Sequence, residues 1–155
     1  MTEASAQVPA TANFLNPEAM HRPSGYTHVV EVIAGRPVYI AGQVALDRTG
    51  TVVGPGDIRA QARQVFDNLQ AALRSVGASF EQVVKLNYYL LDAAHLPAVR
   101  EVRDQYVNTA QPPASTAVEV RDRRVAPPVS GAMGGAGVAL SARRQCRRTR
   151  RWRPG

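Results

Sequence analysis

The chain has 155 residues, 45% of them apolar and 20% charged, with 19 basic and 12 acidic side chains and a formal net charge of +7. This composition is ordinary for one soluble domain and excludes wholesale disorder, collagen and disulfide scaffolds. A chain of this size hides roughly 70% of its unfolded surface, enough for a core without crosslinks.

No run of 18 apolar residues occurs, so no membrane-spanning helix is expected. The start, Met1-Thr2-Glu3-Ala4, lacks the basic and apolar regions of a secretory signal. Cys146 stands alone and forms no internal disulfide, so the cytoplasm is the expected location. The charge is unevenly spread. Residues 1–120 carry eight arginines, one lysine and eleven acids, a net −2. Residues 121–155 carry ten arginines and one acid, Asp122, a net +9. Such dense like charge repels itself and has little apolar surface to bury, so a disordered tail is expected there.

Residues 1–24 hold Pro9, Pro17 and Pro23 and no sustained period, and read as a flexible arm. Residues 27–33 and 37–44 read as two strands joined by Ala34-Gly35-Arg36, a hairpin connection. A turn-rich stretch follows over 46–56. Asp57 sits where an N-cap belongs. Ile58, Ala62, Val65, Phe66, Leu69, Leu73 and Val76 then recur at three- and four-residue steps, and Gly77 follows. This predicts an amphipathic helix over 57–76. Residues 82–92 alternate around Val84, Leu86, Tyr88 and Leu90, a central strand. A second helix is expected over 93–108, with Leu96, Val99, Val102 and Tyr106 on one face and Pro97 in its first turn. Pro112-Pro113 lead into a strand at 115–120. The order β-β-α-β-α-β predicts a mixed α+β sheet with both helices on one face. The other face then needs cover, most simply from another subunit.

Several blocks resemble the YjgF/RidA family over about 26–120. They are Ala41-Gly42-Gln43-Val44-Ala45-Leu46-Asp47, Thr49-Gly50, the run from Asp57 to Leu69, Val83-Val84-Lys85, Tyr89-Leu90-Leu91-Asp92, and Pro113 to Val120. The resemblance implies a chorismate-mutase-like fold and a homotrimer with ligand clefts between subunits. It implies hydrolysis of small enamines and imines to keto acids and ammonia, without a cofactor. The expected domains are an arm at 1–24, a RidA-like domain at 25–120 and an atypical tail at 121–155.

The family's site is carried over position by position. Tyr26 matches the cleft tyrosine, and Gly42 and Gln43 match the Gly-Gln turn, where a missing side chain lets backbone approach a ligand. Arg100 falls where many deaminases have asparagine. Ser115 falls where they have the carboxylate-binding arginine. Serine makes no charge-assisted fork with a carboxylate. The expected substrate-binding residues are therefore Tyr26, Gly42 and Gln43, and the candidate catalytic residues are Ser115 and Arg100. Each has a plainer reading: Tyr26 as packing at a strand start, Arg100 as a solvated helix arginine, Ser115 as a polar edge position. His21, His28 and His95 show no metal-ligand spacing, so no metal is expected.

The alternative function is a non-catalytic trimer that binds a metabolite or partner protein. A second alternative is an RNA-directed activity through the basic tail, where Trp152 alone offers base stacking. Nucleic acid is not the expected partner, nor is a membrane; the expected ligand is a small imine, enamine or carboxylate. The family's last strand carries a catalytic glutamate, but no glutamate follows Glu119 here. The abrupt change to Arg, Gly, Ala and Pro after Val120 leads to the expectation that residues from about 121 are an out-of-frame reading of a GC-rich gene. The nucleotide sequence around codon 120 checks this. An uninterrupted frame, with peptides from the arginine-rich end found in cells, would sink it.

Overall fold

The structure, a computed structural model, describes residues 11–120 and 138–139. The first helix, α1, runs Ile58–Ser75. The Asp57 carboxylate accepts from the N–H groups of Arg59 and Ala60, both at 3.0 Å. It thereby satisfies two donors that the first turn leaves free. Ala62, Val65, Phe66, Leu69 and Leu73 form the buried side. Gly77, at φ +71°, ends the helix. Its N–H donates to Arg74 O and that of Ala78 to Leu73 O, each at 3.0 Å. Only a residue without Cβ takes this left-handed closure cheaply. The helix expected over 57–76 is present.

After a short 3-10 turn, Phe80–Gln82, comes β4, Lys85–Leu90. Leu86, Tyr88 and Leu90 are buried along it, the alternation expected of a half-buried strand. The turn is additional to the expected elements, and Ser79 and Gln82 cap it reciprocally in a Ser-x-x-Gln pattern. The second helix, α2, covers Leu96–Arg103 and is shorter than expected. Ala93–His95 form a separate 3-10 turn, capped by the Asp92 carboxylate on Ala94 N at 2.8 Å. Pro97 has no N–H to bond back to that turn, so the two do not merge into one helix. β5, Ala114–Glu119, pairs in parallel with β4, from Lys85 opposite Ala114 to Leu90 opposite Glu119. A parallel pair needs a crossover, and α2 supplies it.

Two expectations near the start are corrected. Within the segment read as an arm, Ala12–Leu15 form β1, which pairs antiparallel with β2, Val29–Val32. The partner of β2 is thus β1, not the strand that follows it. The N–H groups of Ile33 and Ala34 both donate to Thr11 O, at 3.0 and 3.3 Å, which keeps the end of β2 beside the N-terminal segment. Pro37 offers no N–H to a hairpin ladder. The next strand, β3, is only Tyr39–Ile40 and pairs antiparallel with β6, Val138–Ala139. β6 lies in the stretch after Val120 where the family resemblance was expected to end. The described strands form three two-stranded ladders, and the order from β2 to β5 is β-β-α-β-α-β. Apart from β6, the tail expected to be disordered and frameshifted lies outside the described residues.

Leu69, Leu73, Leu86 and Leu90 are fully enclosed between α1, α2 and the β4–β5 ladder. Each such burial stabilises by about 1.5–3 kcal/mol. Phe66 stacks on Tyr106 at 5.1 Å, and Phe80 meets both rings within 5.9 Å. The Arg59–Glu101 pair at 2.6 Å joins α1 to α2, but both side chains are more than half exposed. It contributes at most about 1 kcal/mol.

One buried cation ties this core to the chain's first loop. Arg103 is 4% exposed. Its Nη1 donates to Gly25 O at 2.7 Å, and its Nε and Nη2 donate to Asp104 Oδ1 at 2.8 and 2.6 Å. Gly25 has φ +72°, and a Cβ there would lie 3.0 Å from Nη2. The Tyr88 hydroxyl is buried nearby without a well-formed hydrogen bond. Burial pushes its pKa up to about 12, and the Arg103 charge partly opposes the rise. Arg103→Met keeps the apolar stem and removes the donors. We expect it to lower unfolding stability by about 1.5–3 kcal/mol in urea and to speed amide exchange at Thr27. Unchanged stability and exchange would contradict this role.

Candidate functional site

Tyr26 is held from both sides. Gly25 before it is bonded to Arg103. Thr27 after it is buried, with its N–H on Pro113 O at 3.4 Å and its hydroxyl on Pro112 O at 2.5 Å. Between these anchors Tyr26 lines a concavity of about 500 Å³ with His21, Arg22, Asn16, Glu18 and Thr109. The Tyr26 hydroxyl lies 2.9 Å from His21 Nε2. His28 packs edge-on against both rings, 5.2 Å from Tyr26 and 5.0 Å from His21. His28 Nε2 donates to the carbonyl oxygen of His21 at 2.8 Å. A carbonyl only accepts, so this contact assigns the proton to Nε2 of His28. The sequence reading considered these histidines only as metal ligands. Their hydrogen-bonding role depends on a turn at 21–28 that spacing alone does not reveal.

Gly42 and Gln43 line a second concavity, of about 360 Å³, with Leu46, Asp47, Arg48 and Asn68. Polar side chains of α1 shape it. Asn68 Nδ2 donates to Val44 O at 3.1 Å and to Leu46 O at 3.0 Å. Gln64 Nε2 donates to Asn68 Oδ1 at 2.8 Å and so orients that amide. Gln61, fully buried, donates to Gly54 O at 2.9 Å. Gly54 sits at φ +61°, with Ala60 Cβ only 2.6 Å from where its own Cβ would be, so a side chain is excluded there. Sequence reasoning missed Asn68, Gln61 and Arg103. All three are polar residues on helices whose dominant signal is an apolar period.

Asp47 closes the outer turn of this concavity. Its Oδ1 accepts from the Thr49 hydroxyl at 2.7 Å and from the N–H groups of Thr49 and Thr51 at 2.8 and 2.9 Å. The Thr49 hydroxyl bond, followed by the two N–H bonds, lowers the Asp47 pKa below its usual 3.8.

Arg100 and Ser115 line neither of these concavities. Arg100 is half-buried on α2, close enough to Tyr88 to help oppose the rise in its pKa. Ser115 lies on β5 opposite Leu86, with its hydroxyl 3.4 Å from Pro113 O. Glu119 Oε2 accepts from Ala93 N at 3.0 Å, a structural contact between β5 and the turn before α2. Within one copy of the chain, Tyr26 and the Gly42–Gln43 pair therefore occupy separate concavities. Among the described residues, no helix is long and apolar enough to cross a membrane.

The sequence model of the family described as Endoribonuclease L-PSP matches residues 17–127. The match extends beyond the 26–120 expected from sequence blocks. A RutC family protein of Synechocystis is 42% identical over 84 residues, which are 54% of this chain and 65% of that protein. A protein of Dermatophagoides farinae named 2-iminobutanoate/2-iminopropanoate deaminase is 34% identical over 59% of this chain and 70% of its own length. Among solved structures, a conserved Rid-family protein of unknown function from Yersinia pestis superposes with a TM-score of 0.71 at 31% identity. That alignment covers 86% of this chain and all of the other.

The Asp47 turn yields a pH prediction. A lowered folded pKa means the turn is stabilised above the unfolded value near 3.8 and loses that support as pH falls through the folded one. An NMR titration of the Asp47 carboxyl carbon is expected to show a midpoint below 3.8, and Thr49→Ala is expected to raise it. A midpoint at or above 3.8 in the unmodified protein would refute the reading.

Proposed function

Because the chain belongs to the Endoribonuclease L-PSP family, the YjgF/RidA group, we propose that it is a hydrolytic deaminase of small reactive enamines or imines. The products are the keto acid and ammonia. The observation that carries the reading is the likeness to proteins named 2-iminobutanoate/2-iminopropanoate deaminase, 34% identical in one case. The geometry is compatible: a tyrosine and a histidine share one open concavity, and a glycine turn lines another.

In this proposal the active form is a homotrimer, and the two concavities meet across neighbouring copies. Outward apolar residues support self-association. Tyr89 and Val118 are opposite each other on β4 and β5, Leu15 and Val29 on β1 and β2, and all four are at least 40% exposed. Tyr26, Gly42, Gln43, Arg100 and Ser115 then line the cleft. Backbone donors polarise the bound imine, and water attacks its carbon. Ser115 gives no bidentate grip on a carboxylate, so binding relies less on that group than an arginine site would. A cytoplasmic location belongs to the same reading and fits a chain with one cysteine.

A non-catalytic metabolite-binding trimer is the second reading, favoured by the position of Arg100 and Ser115 outside both concavities. An RNA-directed role would rest on the basic residues beyond 120, since residues 1–120 carry a net −2. The deciding assay follows ammonia and keto-acid release from imines generated enzymatically from several amino acids, with mass in solution read by light scattering. Turnover above buffer by a three-chain species is expected. Rates equal to buffer across all the imines would defeat the deaminase reading.

A further inference from the structure

We infer that His21 is the proton acceptor behind Tyr26, so that the pair removes the proton of the attacking water. This rests on the deaminase reading above. The hydrolysis needs such an acceptor. The one carboxylate on β5, Glu119, is engaged with Ala93 N, and no glutamate follows it in the chain. Ser115 has its hydroxyl near Pro113 O and lies outside the Tyr26 concavity.

The Tyr26 hydroxyl and His21 Nε2 are 2.9 Å apart, within proton-transfer distance, and both residues line the same concavity. His28 holds the arrangement: its Nε2–H bonds the His21 backbone carbonyl, and its ring buttresses both partners edge-on. His28 N–H is anchored in turn on Asn16 Oδ1 at 2.9 Å. Glu18 and Arg22 are the other charged side chains lining this concavity.

The chemistry balances. Water adds to the carbon of a protonated imine, and the C=N π pair moves to nitrogen. The water proton passes to the Tyr26 oxygen while the phenolic proton passes to His21 Nε2. The product is a neutral carbinolamine beside a protonated His21. The proton then returns along the same path to the amine nitrogen. The C–N bond breaks with its pair on nitrogen, and the remaining hydroxyl proton goes to the departing ammonia. A protonated imine and one water become a ketone and an ammonium ion. In this scheme Tyr26 is the catalytic residue because it takes the proton directly from the water. His21 acts through it and is a positioning residue that stores the proton.

The test uses the full chain in the imine assay, with His21→Ala, His21→Gln and Tyr26→Phe. His21 is exposed, so these substitutions at 21 leave the core intact. Glutamine can still hydrogen-bond the tyrosine but takes no proton. We expect H21A and H21Q both to lower kcat by about 100-fold or more with KM little changed. Added imidazole should restore part of the turnover of H21A and none of that of Y26F. An H21Q enzyme with wild-type kcat, or an H21A enzyme that imidazole does not rescue, would overturn the inference while the deaminase reading stands. A wild-type chain with no imine turnover overturns both.

Discussion

A single buried guanidinium organises the relation between core and site. Arg103 lies at the end of α2, packed beneath the loop that carries Tyr26, and its three donor nitrogens are shared between Gly25 O and the Asp104 carboxylate. A charge this enclosed is tolerated only when its donors are satisfied. The satisfaction runs both ways. Arg103 needs the Gly25 carbonyl, and the loop needs Arg103 to be held against the α2 crossover. The Thr27 bonds to Pro112 and Pro113 complete the clamp from the β5 side. Tyr26 is thereby positioned by the end of α2 and by the Pro112–Pro113 segment, neither of which is adjacent to it in the chain.

The second half of the site is organised differently. Here α1 serves as a template: its apolar side builds the core, and its polar side shapes a loop. Gln64 orients Asn68, Asn68 binds two carbonyls of the segment after Gly42–Gln43, and Gln61 binds Gly54 further on. Side-chain amides suit this work because each carries both donors and an acceptor and can replace the backbone partners that an irregular loop lacks. The segment that follows the glycine turn is therefore held by attachment to α1.

How much of this was legible depended on the range of the interactions. The Asp57 cap, the buried steps from Ala62 to Leu73 and the Gly77 closure act over a few residues, and each was read correctly. The alternation of Leu86, Tyr88 and Leu90 is equally local. The pairing of β2 is not legible because two nearby strands with a short connection resemble a hairpin, and nothing local reveals that Thr11 captures the end of β2. The length of α2 was overestimated because its apolar period continues into Tyr106, which stacks on Phe66 from a turn rather than a helix. At the site, Tyr26, Gly42 and Gln43 were named through family resemblance. The roles of His21 and His28 leave no sequence signal because their partners are a hydroxyl and a carbonyl, not a metal.

Local residue pattern alone sets the family, the α+β class, the start and stop of α1 and the split of charge at residue 120. These follow from short-range periodicity, from capping chemistry and from blocks of residues whose order is visible in one dimension. Tertiary structure alone decided which strands pair, that Arg103 is buried and serves Gly25 across 78 residues, and that Tyr26 and Gly42–Gln43 open into different concavities of one copy. The reason is physical. A hydrogen bond between residues far apart in the chain leaves no periodic trace in either segment, and an arginine reads as a surface residue until the partners that satisfy its charge are found.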